Sequence, residues 1–176
     1  MLDSNPQAPI AFYLDAMSAD DYTAVALIFE QGIEGGNATY DTRSASWVDW
    51  DQKHLVAGRF VARAQQDNRV LGWVALSPIS ARIVFRGVAE LSIYIDNSAH
   101  GMGLGDALMA KCIEASEAAG LWTLQSGIFP ENQASLRLHE KHGFREVGFR
   151  EKIGQMRDGR WRDIVFMERR SKIVGN

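Results

Sequence analysis

The 176-residue sequence predicts one domain of the α/β (α+β) class, a mixed and mostly antiparallel central sheet with helices on both faces. Three observations predict it. The middle of the chain carries short runs of period two separated by turn residues, which read as hairpin strands. The later part alternates strand-like and helix-like patterns, which asks for crossover connections. No internal repeat and no Pro-, Gly- or Ser-rich linker divides the chain, and its length suits a single core.

Residues 1–9 read as a loose leader with two prolines, and 10–176 as the domain. A first strand is expected over 10–15. Ser18 then offers an N-cap, with Asp20 and Asp21 in the first turn where the helix dipole favours carboxylates. That helix runs to about Gly32, because Tyr22, Val25, Ala26 and Phe29 recur at helical spacing. GIEGGNATYDT is a polar loop. Ser46 with Asp49 resembles a capping box and opens a second helix ending near Gly58. Residues 60–65 and 70–77 form a hairpin across QDNR. In 89–96 the alternation is cleanest, with Ala89, Leu91, Ile93 and Ile95 on one face and Glu90, Ser92, Tyr94 and Asp96 on the other. A glycine-rich turn, HGMGLG, leads into a helix stopped by Gly120. A strand over 121–129, a helix over 132–142 and two strands over 145–152 and 161–169 complete the order, the last pair joined through Asp158-Gly159.

Composition excludes several function classes. Nineteen Lys and Arg against 22 Asp and Glu leave a net charge of −3, which does not suit a nucleic acid or an anionic membrane. The one cysteine, Cys112, permits no internal disulfide and no cysteine zinc cage. No stretch approaches the roughly 20 apolar residues that span a bilayer. The first ten residues lack the basic-then-apolar order of a signal peptide, so a cytoplasmic setting is expected. His139 and His142 stand three apart, but no cysteine or carboxylate pattern accompanies them, and no metal is expected.

Strand, HGMGLG, helix is a backbone anion site. Gly101, Gly103 and Gly105 let the main chain approach a ligand, and the helix N-terminus offers unpaired N–H groups to a phosphate. The plainer alternative is a tight connection with no ligand. A Walker loop fails because Asp106, not Lys-Ser/Thr, follows Gly105. A dinucleotide fingerprint fits poorly, since its third glycine falls one residue later and it opens on the first strand.

These residues resemble the GNAT acetyltransferases. Their acetyl-CoA motif, Gln/Arg-x-x-Gly-x-Gly/Ala at the start of a helix, reads here His100-x-x-Gly103-x-Gly105. Asn132-x-x-Ser135 and LHEKHGF at 138–144 look like the family's second CoA segment. Within the superfamily, FRGVAELSIYI at 85–95, ATYDT at 38–42 and DGRWRDIVFMER at 158–169 are similar to phosphinothricin and methionine sulfoximine N-acetyltransferases. The likeness covers nearly the whole chain after residue 10. Two positions depart from it. His100 replaces the usual Gln or Arg, and Asp106 stands where relatives often carry Arg or Lys, which sets an acid beside the expected pyrophosphate.

The resemblance implies a GNAT fold, acetyl-CoA as co-substrate and a homodimer. It implies an acceptor that is a small amino acid or analogue, such as phosphinothricin, methionine sulfoximine or methionine sulfone. Alternatives are a peptide N-terminus or a polyamine as acceptor, or a non-catalytic acyl-CoA sensor. Attack by an amine needs its neutral form, so a base speeds the step, and Glu90 matches the acid the family uses for that role. The backbone of Ile93, Tyr94 and Ile95 is expected to pair with the pantetheine arm and polarise the acetyl carbonyl. Gly101, Met102, Gly103, Leu104, Gly105 and Asp106 form the pyrophosphate turn, and Asn132 and Ser135 the second cofactor contact. His139 occupies the place of a tyrosine thought to protonate the leaving thiolate in many relatives. Cys112 falls with Leu104, Leu108 and Ala115 on a core stripe, so direct transfer in a ternary complex is expected. The segment Arg82, Ile83, Val84, Phe85 and Arg86 matches the family's acceptor-binding segment, and an arginine fork suits a carboxylate or phosphinate.

Overall fold

A computed structural model describes residues 10–175; the expected leader over 1–9 lies outside them. The elements are β1 (Phe12–Ala16), α1 (Tyr22–Glu34), α2 (Trp47–Lys53), β2 (Phe60–Ala64), β3 (Val70–Pro78), β4 (Val88–Ile95), α3 (Leu104–Ala118), β5 (Thr123–Ile128), α4 (Gln133–Lys141), β6 (Arg145–Gln155) and β7 (Trp161–Arg170). The seven strands form one sheet in the order β1-β2-β3-β4-β5-β7-β6. Only β4 and β5 run parallel. The fold is the mixed, mostly antiparallel sheet the sequence predicts.

Both faces are covered. On one, Leu104, Leu108, Met109 and Cys112 of α3 pack over Val74, Leu76, Leu91 and Leu124. On the other, Val25 and Ile28 of α1 and Trp50 of α2 pack over Val61, Trp73 and Ala75. This double burial explains why β3 reads as a continuous apolar run and not as an alternation.

Two helix ends differ from expectation for identifiable reasons. Gly32 does not stop α1; a Cβ there would lie 2.8 Å from the Tyr94 ring, so the glycine is a contact and the helix continues to Glu34. α2 stops at Lys53, well before Gly58, because Arg59 reaches back and donates to the carbonyls of Asp51 and Leu55 at 2.9 and 2.6 Å. The Ser46 cap is present, its hydroxyl accepting the Asp49 N–H at 3.2 Å. Edge strand β6 runs past Lys152 to Gln155 by way of two irregularities, 146–148 and 150–154. These bulges and its exposed charges blunt the sheet edge.

Gly87 seats the segment just before Glu90. Its carbonyl accepts the N–H groups of Trp122 and Thr123 at 2.8 and 3.1 Å, and a Cβ would meet the indole of Trp122 at 2.1 Å. Gly87→Ala is therefore expected to destabilise by about 1–3 kcal/mol, the usual result of overpacking. Thermal unfolding should show a fall in Tm of about 2–10 °C; an unchanged Tm would mean that Trp122 moves aside freely.

Candidate active site

The parallel pair at the centre of the sheet is short. β4 and β5 are in register from Val88↔Thr123 to Glu90↔Gln125, and beyond that they part. Alternation along the β3–β4 ladder decides which groups face the opening. The Asp96 N–H donates to the Leu71 carbonyl of β3, and the Gly87 carbonyl is taken by β5. Even-numbered residues of β4 thus bond β3, and the backbones of Leu91, Ile93 and Ile95 face the fork. The Ser126 hydroxyl lies 3.1 Å from the Leu91 carbonyl at its apex. Ile93 and Ile95 have no ladder partner on that side, so their N–H groups are open to a ligand. Tyr94 turns its backbone to Trp73 of β3 and offers the site its side chain.

Glu90 is exposed at the last paired position, its carboxylate 3.5 Å from the Gln125 amide. It opens on a cavity of about 1320 Å³ lined by β4 residues 90–94, the 38–46 loop, aromatic side chains of α1 and α2, and residues 125–129. Tyr94 stacks on Trp73 with ring centroids 5.0 Å apart, and burial pushes its phenol pKa up. Asn132, Ser135 and His139 line the same cavity.

The glycine turn lies outside that lining. Gly101 and Gly103 have φ of +77° and +83°, a region L side chains rarely adopt, and nothing stands within 4 Å of a Cβ built at either. Gly103 is the N-cap of α3 and no side chain caps the helix, so its first turn has the unpaired N–H groups that suit an anion. Gly105 has another reason to be glycine: a Cβ would come within 3.2 Å of Leu138, so it sets the approach of α4 to α3. The side chains of Met102 and Leu104 belong to the core, leaving their backbones to the turn. Asp106 is bonded by Lys141 Nζ at 2.7 Å and His142 Nε2 at 3.0 Å, which hold its carboxyl pKa down. The acid beside the turn is thus partnered, and its repulsion of an anion offset. His100 bonds the Ile95 carbonyl at 3.0 Å.

Asn132 caps α4, its side-chain oxygen accepting the Ser135 N–H at 3.1 Å, while its amide donates to the Asn37 carbonyl at 3.0 Å. His139 is 2 % exposed. Its Nδ1 faces the Ser135 carbonyl at 2.8 Å and its Nε2 the Ser126 hydroxyl at 3.0 Å. Burial, the largest cause, pushes its pKa below the ordinary value, so the ring is neutral near pH 7.

The acceptor segment named from the sequence is not brought into the cavity. Ile83, Val84 and Phe85 form an exposed turn, with Arg82 over the Phe85 ring and Arg86 over Trp122. The cations on the cavity wall are Arg43, Lys53 and Arg150, none of which has an ion pair among the described residues. Sequence reasoning also passed over Ser126, although a polar residue in register with Leu124 and Ile128 on a core face was the available signal. Arg162 lies in the DGRWRDIVFMER segment, but nothing in the sequence singled it out for a role. Among the described residues no cluster of three or more His, Cys, Asp or Glu could hold a metal, and no helix is long and apolar enough to cross a membrane.

Comparison with known proteins identifies the family. The acetyltransferase (GNAT) family model matches residues 25–144. YwnH of Bacillus subtilis is 30% identical over 152 residues, 85% of this chain and 93% of its own. The L-methionine sulfoximine/L-methionine sulfone acetyltransferase of Salmonella typhimurium is 26% identical over 84% of this chain and 88% of its own. The structure of a phosphinothricin acetyltransferase from Sinorhizobium meliloti in complex with acetyl-CoA superposes with a TM-score of 0.81 at 27% identity, covering 90% of this chain and 88% of that one. With the family model matched over more than half of its length, the chain belongs to the GNAT acetyltransferases and is an acetyl-CoA-dependent N-acetyltransferase.

Proposed function

We propose that the acceptor is the α-amine of a small amino acid or close analogue, with methionine sulfoximine, methionine sulfone and phosphinothricin the leading compounds, acetylated by direct attack in a ternary complex. The observation that carries this reading is the Glu90 carboxylate, exposed to the cavity at the last β4–β5 pair and one turn of the ladder from the open N–H of Ile93. In this reading Glu90 takes the proton from the amine, directly or through water. The amine nitrogen bonds the acetyl carbon, the C–S bond breaks, and the thiolate leaves with its electron pair to be protonated from solvent. The Ile93 N–H stabilises charge on the acetyl oxygen. Cys112 supports direct transfer: it is buried, and burial pushes its thiol pKa up to about 12, so it offers no thiolate. The names of the relatives, the Salmonella typhimurium enzyme among them, support the acceptor class.

An amino acid brings a carboxylate, and in this reading the cation that meets it is Arg43, on the wall and without an ion pair, while Arg82 and Arg86 stay at the outer rim. CoA release should be measured for a panel of amino acids, their amides, spermidine and a short peptide. Arg43→Ala is expected to reduce turnover of the free amino acid about 10–100-fold more than that of its amide, the worth of one charged hydrogen bond. Equal losses would remove Arg43 from carboxylate recognition, and the same comparison on Arg86→Ala tests the rim. Turnover of spermidine or peptide alone would replace the amino-acid reading.

A further inference from the structure

The wall of the cavity formed by residues 38–46 has no regular structure of its own, and it must be held from outside. At one end it is tied to α1: Ser44 donates to Glu30 at 2.6 Å, and the Tyr22 hydroxyl to the Ala45 carbonyl at 2.7 Å. At the other end most of the ties run to a single residue of β7. Arg162 donates to the Gly36 carbonyl at 2.9 Å and to the Asn37 side-chain oxygen at 2.7 Å. Its own carbonyl accepts the Tyr40 hydroxyl at 3.2 Å. The guanidinium lies 3.9 Å from the centre of the Phe129 ring and its side chain is only 10% exposed, so it is held from more than the loop side. Gly154 completes the seat, since a Cβ there would overlap the Tyr40 ring at 2.4 Å. Arg162 does not line the cavity; it reaches the loop from behind.

We propose that Arg162 is a positioning residue for the acceptor: its fork clamps the start of the 36–46 loop, and this sets the wall against which the acceptor binds. The inference rests on the cavity being the acceptor site. One planar fork serves three acceptors at fixed geometry, the Gly36 carbonyl, the Asn37 side-chain oxygen and, at 3.0 Å, the Glu131 carboxylate, an arrangement a lysine ammonium does not reproduce. The tie is reinforced from α4, where Asn132 donates to the Asn37 carbonyl. The tip of the loop carries Arg43, so loosening its base displaces that side chain as well.

The test compares Arg162→Lys and Arg162→Ala with the wild type in three measurements: KM for the acceptor, the dissociation constant of acetyl-CoA, and the rate at which trypsin cuts after Arg43, followed by mass. The acceptor KM is expected to rise about tenfold in Arg162→Ala and less in Arg162→Lys, as for loss of buried hydrogen bonds. Acetyl-CoA affinity should stay within about twofold, and cutting after Arg43 should be several-fold faster. Tyr40→Phe, which keeps the ring on Gly154 and loses only its bond to the Arg162 carbonyl, covers the case in which Arg162→Ala does not fold. An unchanged acceptor KM in folded Arg162→Lys and Tyr40→Phe overturns the assignment, whether or not cutting is faster. A loss confined to acetyl-CoA affinity overturns it too. The proteolysis needs no acceptor. A wild-type enzyme inactive on every amino acid therefore sinks the acceptor reading, and faster cutting still supports the clamp.

Discussion

Glu90→Gln is expected to lower kcat about 10²–10⁴-fold near neutral pH, the range general-base catalysis typically supplies, with acetyl-CoA affinity unchanged. The substitution keeps the shape of the side chain and its reach toward Gln125, and removes only the capacity to take a proton. In the proposed reading the cofactor contacts stand elsewhere, on the outward backbone of β4 and on the glycine turn, which is why binding should survive. An alkyl amine near pH 7 is mostly protonated, so the missing base is felt most there. Raising the pH supplies neutral amine and should restore part of the loss. Near-normal turnover of Glu90→Gln at neutral pH would sink the base assignment.

Gly103→Val should act on the other half of the reaction. The φ of +83° at the N-cap of α3 is an outlier for a β-branched residue, and the left-handed region costs an L-residue about 1–2 kcal/mol. Nothing stands within 4 Å of a Cβ there, so the protein should fold, and the new side chain projects into the space before the helix N-terminus. KM for acetyl-CoA is expected to rise at least about tenfold, the scale of one charged hydrogen bond lost. Gly105→Ala is a useful contrast, because its Cβ pushes on Leu138 and reaches the cofactor only by moving α4. Acetyl-CoA saturation unchanged in a folded Gly103→Val protein would remove the turn from the cofactor site.

What was legible in the sequence was whatever depends on neighbours along the chain. The alternation of β4, the cap at Ser46 and the glycine turn each need only a few residues and appear where expected. The fork was not legible, since it depends on where β5 stops matching β4, a matter of register between strands about thirty-five residues apart. The acceptor segment shows the same limit. Arg82 and Arg86 precede Glu90 in sequence, yet the 83–85 turn carries them outward, and the cavity's cations come from the 38–46 loop, α2 and β6. Arg162 acts across more than a hundred residues on Gly36 and Asn37, a pairing no local pattern reports.

The Ser126 hydroxyl has one hydrogen and two neighbours able to receive it. The Ser135 carbonyl only accepts, so His139 keeps its hydrogen on Nδ1, and with the ring neutral Nε2 is bare. Ser126 must then donate to Nε2, and the Leu91 carbonyl beside it loses that donor. The apex of the fork is left as a free acceptor next to the free donors of Ile93 and Ile95, the polarity an extended chain of amides needs to add itself as one more strand. Protonating His139 reverses this: Nε2 donates, the hydroxyl turns to Leu91, and the fork loses its acceptor. An imidazole almost wholly buried in the cavity wall thus sets, through a single rotor, which way the open strand edge is wired.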